Sequence, residues 1–267
     1  MTDSPDAIDL YYWPTPNGWK ISIMLEECGL PYVLHKINIG RGAQFSPEFL
    51  AISPNNRIPA IVDPKGPDGK PISIFESGAI LQYLARKTGR FYGANERERI
   101  AVEEWLFWQM GGLGPMSGQA NHFRNYAPER VEYGVNRYTN EVNRLYGVMN
   151  RRLEHHEYLA GPYSIADMAC VGWTKAWKRM GQGDQRLSAF DALARRRPRA
   201  GRRAKRSRRR HAGPYADGPC DRQRGSGGFI QPTRALNRRF PRALAGGQPR
   251  RGDLSPRAPK TPGYFAS

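Results

Sequence analysis

The chain of 267 residues is long enough for one or two domains with a buried core, holds no apolar run near the ~18–20 residues of a membrane span, and starts with an acidic, polar stretch unlike a signal peptide. Its three cysteines, Cys28, Cys170 and Cys220, share no metal or redox spacing, which argues against a disulfide framework and points to a reducing compartment, the cytoplasm. The net charge of +18 is uneven: residues 181–267 hold 22 Lys and Arg against 5 Asp and no Glu, so residues 1–180 carry only +1 and the basicity says nothing about their function.

In chain order, IDLYYW (8–13) is rich in β-formers and predicts a first strand. After the turn PTPNG, Ile21, Met24, Leu25 and Cys28 fall at i, i+3, i+4 and i+7, an amphipathic helix stopped by Gly29 and Pro31. YVLHKINI (32–39) has strand composition, and SPEFLAISP (46–54) reads as a short helical or irregular connector. IPAIVD (58–63) and PISIF (71–75) flank the turn PKGPDGK as a hairpin. Ser77 precedes a helix, GAILQYLARKTG, with Ile80, Leu81 and Leu84 on one face and Gly89 at its end. The order β-α-β-α-β-β-α predicts a small α/β domain over residues 1–90.

Beyond it the pattern turns helical. Ala101, Trp105 and Trp108 predict a helix over 97–110 that GGLGP breaks, and Val142, Leu145, Met149 and Leu153 predict a second from Tyr138, closed by AGPY. Ser164-Ile-Ala-Asp167 is an S-x-x-D capping box that opens a third helix through MACVGWTKAW. These predict an all-α domain over 95–180. Residues 181–267 break every period: they hold five Leu, one Ile and no Val or Met, with 21 Gly and Pro, and predict a disordered tail. Its run RRRPRAGRRAKRSRRR (195–210) has eleven basic groups in sixteen residues and admits three readings. It is a salt-dependent, nonspecific binder of nucleic acid or anionic membrane, a solvated linker, or a GC-rich frame translated out of phase.

The first domain resembles a thioredoxin fold, and Ile58-Pro59 stands where that fold places a cis-proline, which turns the Ile58 backbone toward a ligand. The helix opening at Glu76-Ser77 offers free N–H groups to a ligand carboxylate, with Glu76 placed to hold an ammonium beside it. One backbone pair, one carboxylate site and one ammonium site describe a γ-glutamyl tripeptide. The stretches YYWPTPNGWKISIMLEECGL, GRGAQFSPEFLAISPNNRIPAIVD, FESGAILQYLA and WLFWQMGGLGPMSGQ resemble the glutathione transferase superfamily, nearest to its bacterial Nu-class disulfide-bond reductases, over residues 8–180. The resemblance implies a thioredoxin-like domain followed by an all-α glutathione-transferase domain, here truncated because further helices of the family do not follow Met180. It implies that Thr15 and Asn17 serve the sulfur of glutathione, the co-substrate, with no metal. It implies a glutathione site of Gln44, Ile58, Pro59, Glu76 and Ser77, with Arg57 reaching the glycyl carboxylate. It further implies a homodimer in which Arg137 of one subunit reaches the glutathione bound by the other, acting on a small disulfide.

Thr15 hydroxyl and Asn17 amide donors, with backbone N–H groups, lower a thiol's pKa by stabilising its charged form, so the chain needs no nucleophile of its own. Plainer roles stand beside each residue. Thr15 and Asn17 serve as turn and N-cap residues, Glu76 and Ser77 as helix caps, and Arg137 as a solvated charge. Cys28 lies on the order of 16 Å along the helix from the turn and reads as core. Tyr11 and Tyr12 read as strand residues, His155-His156 as a solvated helix end without metal spacing, and Asp167 as the family's folding aspartate. The alternatives to a disulfide reductase are a catalytically weak binding or regulatory protein, a conjugating glutathione transferase, or nucleic-acid binding through the tail.

Overall fold

A computed structural model of the chain describes residues 5–183. The Arg-rich segment beyond them, with the disorder, nucleic-acid binding and out-of-phase frame expected of it, lies outside the described residues. Four strands form one sheet in the order β2-β1-β3-β4: β1 (Ile8–Tyr12), β2 (Tyr32–Lys36), β3 (Ala60–Asp63) and β4 (Ile72–Phe75). β1 and β2 run parallel, joined over one face by α1 (Pro16–Cys28), while β3 is antiparallel to both β1 and β4. The thioredoxin-like mixed sheet expected from the sequence is present. The second and third strands are shorter than predicted, because Ile37–Ile39 and Ile58-Pro59 leave the ladder at its rim.

Side chains alternate across β1. Ile8, Leu10 and Tyr12 are buried on one face, against Ile21, Met24 and Leu25 of α1 and Ile80, Leu81 and Leu84 of α3 (Ser77–Thr88). Full burial of each such aliphatic side chain contributes about 1.5–3 kcal/mol. Tyr11, on the opposite face, stacks on His35 at 4.8 Å and meets Phe49 of the short helix α2 (Pro47–Ile52).

Four longer helices follow: α4 (Glu96–Trp108), α5 (Gly114–Asn125), α6 (Glu132–His155) and α7 (Ile165–Lys175). GGLGP does not break the chain as its glycines and proline predict. A π-helical segment, Gln109–Leu113, carries α4 directly into α5. Pro115 falls in the first turn of α5, where a missing N–H costs nothing, and Leu113 is buried in the helical core. The 138–153 helix is likewise longer than predicted, because Val135 and Gly134 are also buried.

α7 is central. Its Ile165, Ala166, Met168 and Ala169 join the core formed by the sheet, α1 and α3, while Cys170 faces a second core with Leu113, Leu145 and Met149. The capping box is present: Ser164 Oγ accepts from the Ala166 N–H, and Asp167, fully buried, accepts from the N–H groups of Leu159 at 2.9 Å and Ser164 at 3.0 Å. Burial pushes the Asp167 carboxyl up to about 6, against the pull of these donors. Each Asp167 oxygen serves a different backbone N–H. Asp167→Asn therefore sets an NH2 group against one of them and is expected to cost about 2 kcal/mol, read as a lower urea midpoint at unchanged slope.

Candidate functional site

The register of the sheet gathers the candidate residues at one end. Tyr11 pairs with Ala60, Ala60 with Phe75, and Tyr12 with Lys36. The residues that leave these positions therefore emerge together: the Thr15–Asn17 turn after β1, the loop carrying Gln44 after β2, Arg57-Ile58-Pro59 before β3, and Glu76-Ser77 after β4.

The Thr15 turn is shaped by its own sequence. Thr15 is extended (φ −122°, ψ 163°) and caps α1, its Oγ1 accepting from the Gly18 N–H at 3.2 Å. A Cβ at Gly18 would collide with the Trp13 carbonyl, so the chain folds back here only with glycine. The cap uses the hydroxyl oxygen as acceptor and leaves the O–H free to donate. Asn17, in the first turn, accepts at Oδ1 from the indole Nε1–H of Trp173 on α7 at 3.1 Å. Indole is a donor only, so this bond fixes which end of the amide faces it and leaves Nδ2 as the outward donor. Sequence reasoning missed Trp173, which lies 156 residues away and reads as a core residue of an amphipathic helix.

The Ile58–Pro59 peptide is cis, with Ile58 two residues outside the ladder and Pro59 buried. Arg57 is exposed, and its carbonyl accepts from Ser53 Oγ at 2.8 Å. Gln44 Oε1 is buried with no hydrogen-bond partner among the described residues. Glu76 has φ +68° and ψ 115°, a conformation rare for a residue with a Cβ, and its side chain makes no capping bond to α3. A strained backbone at an exposed carboxylate marks a site rather than a cap. Asn55 Nδ2 donates to Glu76 Oε1 at 3.2 Å. Ser77 is buried, with its Oγ 3.3 Å from Lys20 Nζ and 3.7 Å from Met110 Sδ. Lys20 was also missed, since one turn beyond a surface loop a lysine reads as solvated.

Arg137 is exposed on α6 and forms no hydrogen bond or ion pair with these residues. The other ionisable candidates stay apart from the site. Burial pushes the Cys28 thiol up and sets it beside Thr88, burial likewise raises the Tyr11 phenol, and His156 Nε2 bonds Arg152 Nη1 at 2.7 Å. Among the described residues, no three His, Cys, Asp or Glu stand together as a metal site would need.

Residues 15–87 match the family model for the glutathione S-transferase N-terminal domain. The disulfide-bond oxidoreductase YfcG of Escherichia coli (strain K12) is 58% identical over 174 residues, covering 64% of this chain and 81% of that protein. The chain belongs to the glutathione S-transferase family. Among solved family structures, a glutathione transferase from Pseudomonas putida with one glutathione disulfide bound per subunit is 43% identical, with a TM-score of 0.70 over 77% of this chain and 93% of that one. A family member from Pseudomonas fluorescens pf-5 with two glutathione bound is 42% identical, with a TM-score of 0.69 over 76% and 93%.

In this member of the family the turn is held from the helical half. A Cβ at Gly172 of α7 would stand 2.5 Å from the Pro16 carbonyl oxygen, so only glycine lets α7 approach the turn and bring Trp173 to Asn17. Gly172→Ala must push backbone from backbone. It is expected to lower stability by about 1–3 kcal/mol, read in thermal unfolding followed by circular dichroism.

Proposed function

We propose that this chain is a glutathione-dependent disulfide-bond oxidoreductase that ionises and aims the thiol of glutathione and supplies no nucleophile itself. The observation that carries the reading is the pair of unspent donors at the turn after β1, the Thr15 O–H and the Asn17 Nδ2–H, the latter fixed by Trp173. Beside them the chain offers no thiol or imidazole in their place. Donors aimed at a sulfur favour thiolate over thiol.

The remaining groups fit the rest of the tripeptide. The Ile58 backbone, outside the ladder, pairs with the cysteinyl peptide unit, and Pro59 holds it there. Ser77 and the first N–H groups of α3 take the γ-glutamyl carboxylate, and Glu76 takes the neighbouring ammonium. Gln44 and Arg57 flank the glycyl end. The thiolate attacks one sulfur of a small disulfide, forming a mixed disulfide with glutathione and expelling the other half as a thiolate that takes up a proton. A second glutathione thiolate then attacks the glutathione sulfur of that mixed disulfide. Glutathione disulfide forms and the second thiol leaves, so two glutathiones are oxidised for each disulfide reduced.

The active form is a homodimer, in which Arg137 of the partner subunit reaches the bound glutathione. Ile100 and Phe107, seven residues apart on one face of α4, are exposed apolar side chains that a second copy would cover. The protein works in the cytoplasm, where glutathione is kept reduced; none of the described helices is long and apolar enough to cross a membrane.

The test is turnover of hydroxyethyl disulfide with glutathione across a range of pH. Thr15→Ala with Asn17→Ala is expected to lower kcat/KM at least a hundredfold at pH 7 and to move the rising limb of the profile upward by one unit or more. Trp173→Phe keeps the packing, frees the Asn17 amide, and is expected to give a smaller shift in the same direction. An unchanged profile in the double variant sinks the proposal.

A further inference from the structure

Lys20 is only 1% exposed, in the second turn of α1. Its ammonium has three N–H donors, and three acceptors from other parts of the chain surround it: Gln109 Oε1 at 2.7 Å, Ser77 Oγ at 3.3 Å and Met110 Sδ at 3.3 Å. None of the three is charged. A cation buried without a carboxylate against it is costly, and an apolar side chain of the same length would fill the space at no such cost.

A second buried group adds to the cost. Gln109, fully buried in the π-helical segment, gives its oxygen to Lys20, while its Nε2 has no partner among the described residues. The charge is retained at neutral pH all the same: burial pulls the Lys20 pKa from 10.5 only to about 8. The titratable groups that face it are Glu76, ahead of α3, and Cys170 on α7, and burial pushes the Cys170 thiol up, so that it stays neutral. Neither group gives Lys20 a hydrogen bond.

What the cation touches is the serine at the mouth of α3. Ser77 Oγ receives the Lys20 N–H, and its own proton has only the weak acceptor Met110 Sδ, at 3.7 Å. A hydroxyl that accepts from an ammonium is a better donor, since hydrogen bonds in a chain polarise one another. We propose that Lys20 is a positioning residue for an anionic carboxylate at the start of α3, acting through the Ser77 hydroxyl, with Gln109 of the π-helical segment holding the ammonium in place. The inference rests on the glutathione reading, in which that carboxylate is the γ-glutamyl one. On binding, the Ser77 O–H turns from Met110 Sδ to a carboxylate oxygen, and the buried charge gains the counter-charge it lacks in the free protein.

The test uses S-methylglutathione, which has no thiol to ionise, and calorimetry on the full chain. Lys20→Met keeps the volume and removes the charge. It is expected to weaken binding about tenfold or more at pH 7, to raise KM for glutathione far more than it lowers kcat, and to leave the pKa of the bound thiol in place. In a Ser77→Ala background the same change is expected to weaken binding less than threefold, because the two residues act in series.

A second measurement needs no substitution. An S-methyl analogue with glutaryl in place of γ-glutamyl keeps the carboxylate and has no amine. Its affinity for the unmutated protein is expected to be constant near pH 7 and to fall as pH rises beyond about 8, where Lys20 loses its proton, and to lack that fall in Lys20→Met. Full-strength binding by a folded Lys20→Met, additive losses with Ser77→Ala, or constant affinity of the glutaryl analogue to pH 10 would each overturn the role of Lys20. Absence of S-methylglutathione binding by the unmutated protein would instead overturn the glutathione reading, and this inference with it.

Discussion

The contact between α7 and the start of α1 is the constraint on which the site depends. Gly172 lies against the Pro16 carbonyl, and the next residue, Trp173, donates to Asn17. The turn that follows β1 is thus clamped from a helix more than 150 residues away in sequence. That helix is itself fixed at its start by Asp167 and at its flank by two cores, one shared with the sheet and one with α5 and α6. A loop alone would let the amide of Asn17 rotate, whereas the indole donor decides which end faces outward. Helical half and sheet half therefore meet at the one amide whose orientation matters for chemistry.

The same dependence appears at the second anchor. Ser77 begins α3 because β4 ends at Phe75, but its environment is set by Lys20 of α1 and by Gln109 and Met110 of the π-helical segment. An uninterrupted α-helix over these residues would rotate Gln109 and Met110 relative to α4 and draw them away from Lys20. The extra residue per turn in the π segment is what lets one helical rod present its indole-rich face to one core and Gln109 to another. Glu76, strained ahead of α3, is set between this network and Asn55.

Much of this was legible in the sequence, for stated reasons. Alternation in IDLYYW, the 3.6 period of Ile21–Cys28, and the S-x-x-D box are local signals, and the strands, α1, α3 and the α7 cap follow them closely. The turn residues Thr15 and Asn17 and the pair Glu76-Ser77 were chosen from the motif they form together, and the register of β1, β3 and β4 brings their backbones to one rim. What was illegible is nonlocal. Trp173 reads as core, Lys20 reads as surface, and GGLGP reads as a break, because composition reports the local preference of glycine and proline and not the buried position of Leu113 or the cation that Gln109 must meet. No local period encodes a hydrogen bond spanning 89 or 156 residues.

A turn with no nucleophile is sufficient for thiol chemistry on energetic grounds. A free thiol titrates near ~8.5, so a drop of about two units makes it largely thiolate at pH 7. Each unit corresponds to about 1.4 kcal/mol of preference for the charged form. A hydrogen bond to a charged partner contributes about 1.5–3 kcal/mol, so two donors cover that drop if neither must be paid for by reordering on binding. That condition is what the structure meets. The Thr15 hydroxyl is held by its cap to Gly18, and the Asn17 amide by the indole of Trp173. Preorganised donors gain the full difference between thiol and thiolate, while mobile ones would lose much of it to entropy. Fixing two neutral side chains is thus equivalent to supplying a base, and it leaves the chain free of a reactive thiol of its own, in keeping with a Cys28 and a Cys170 whose surroundings hold both protonated.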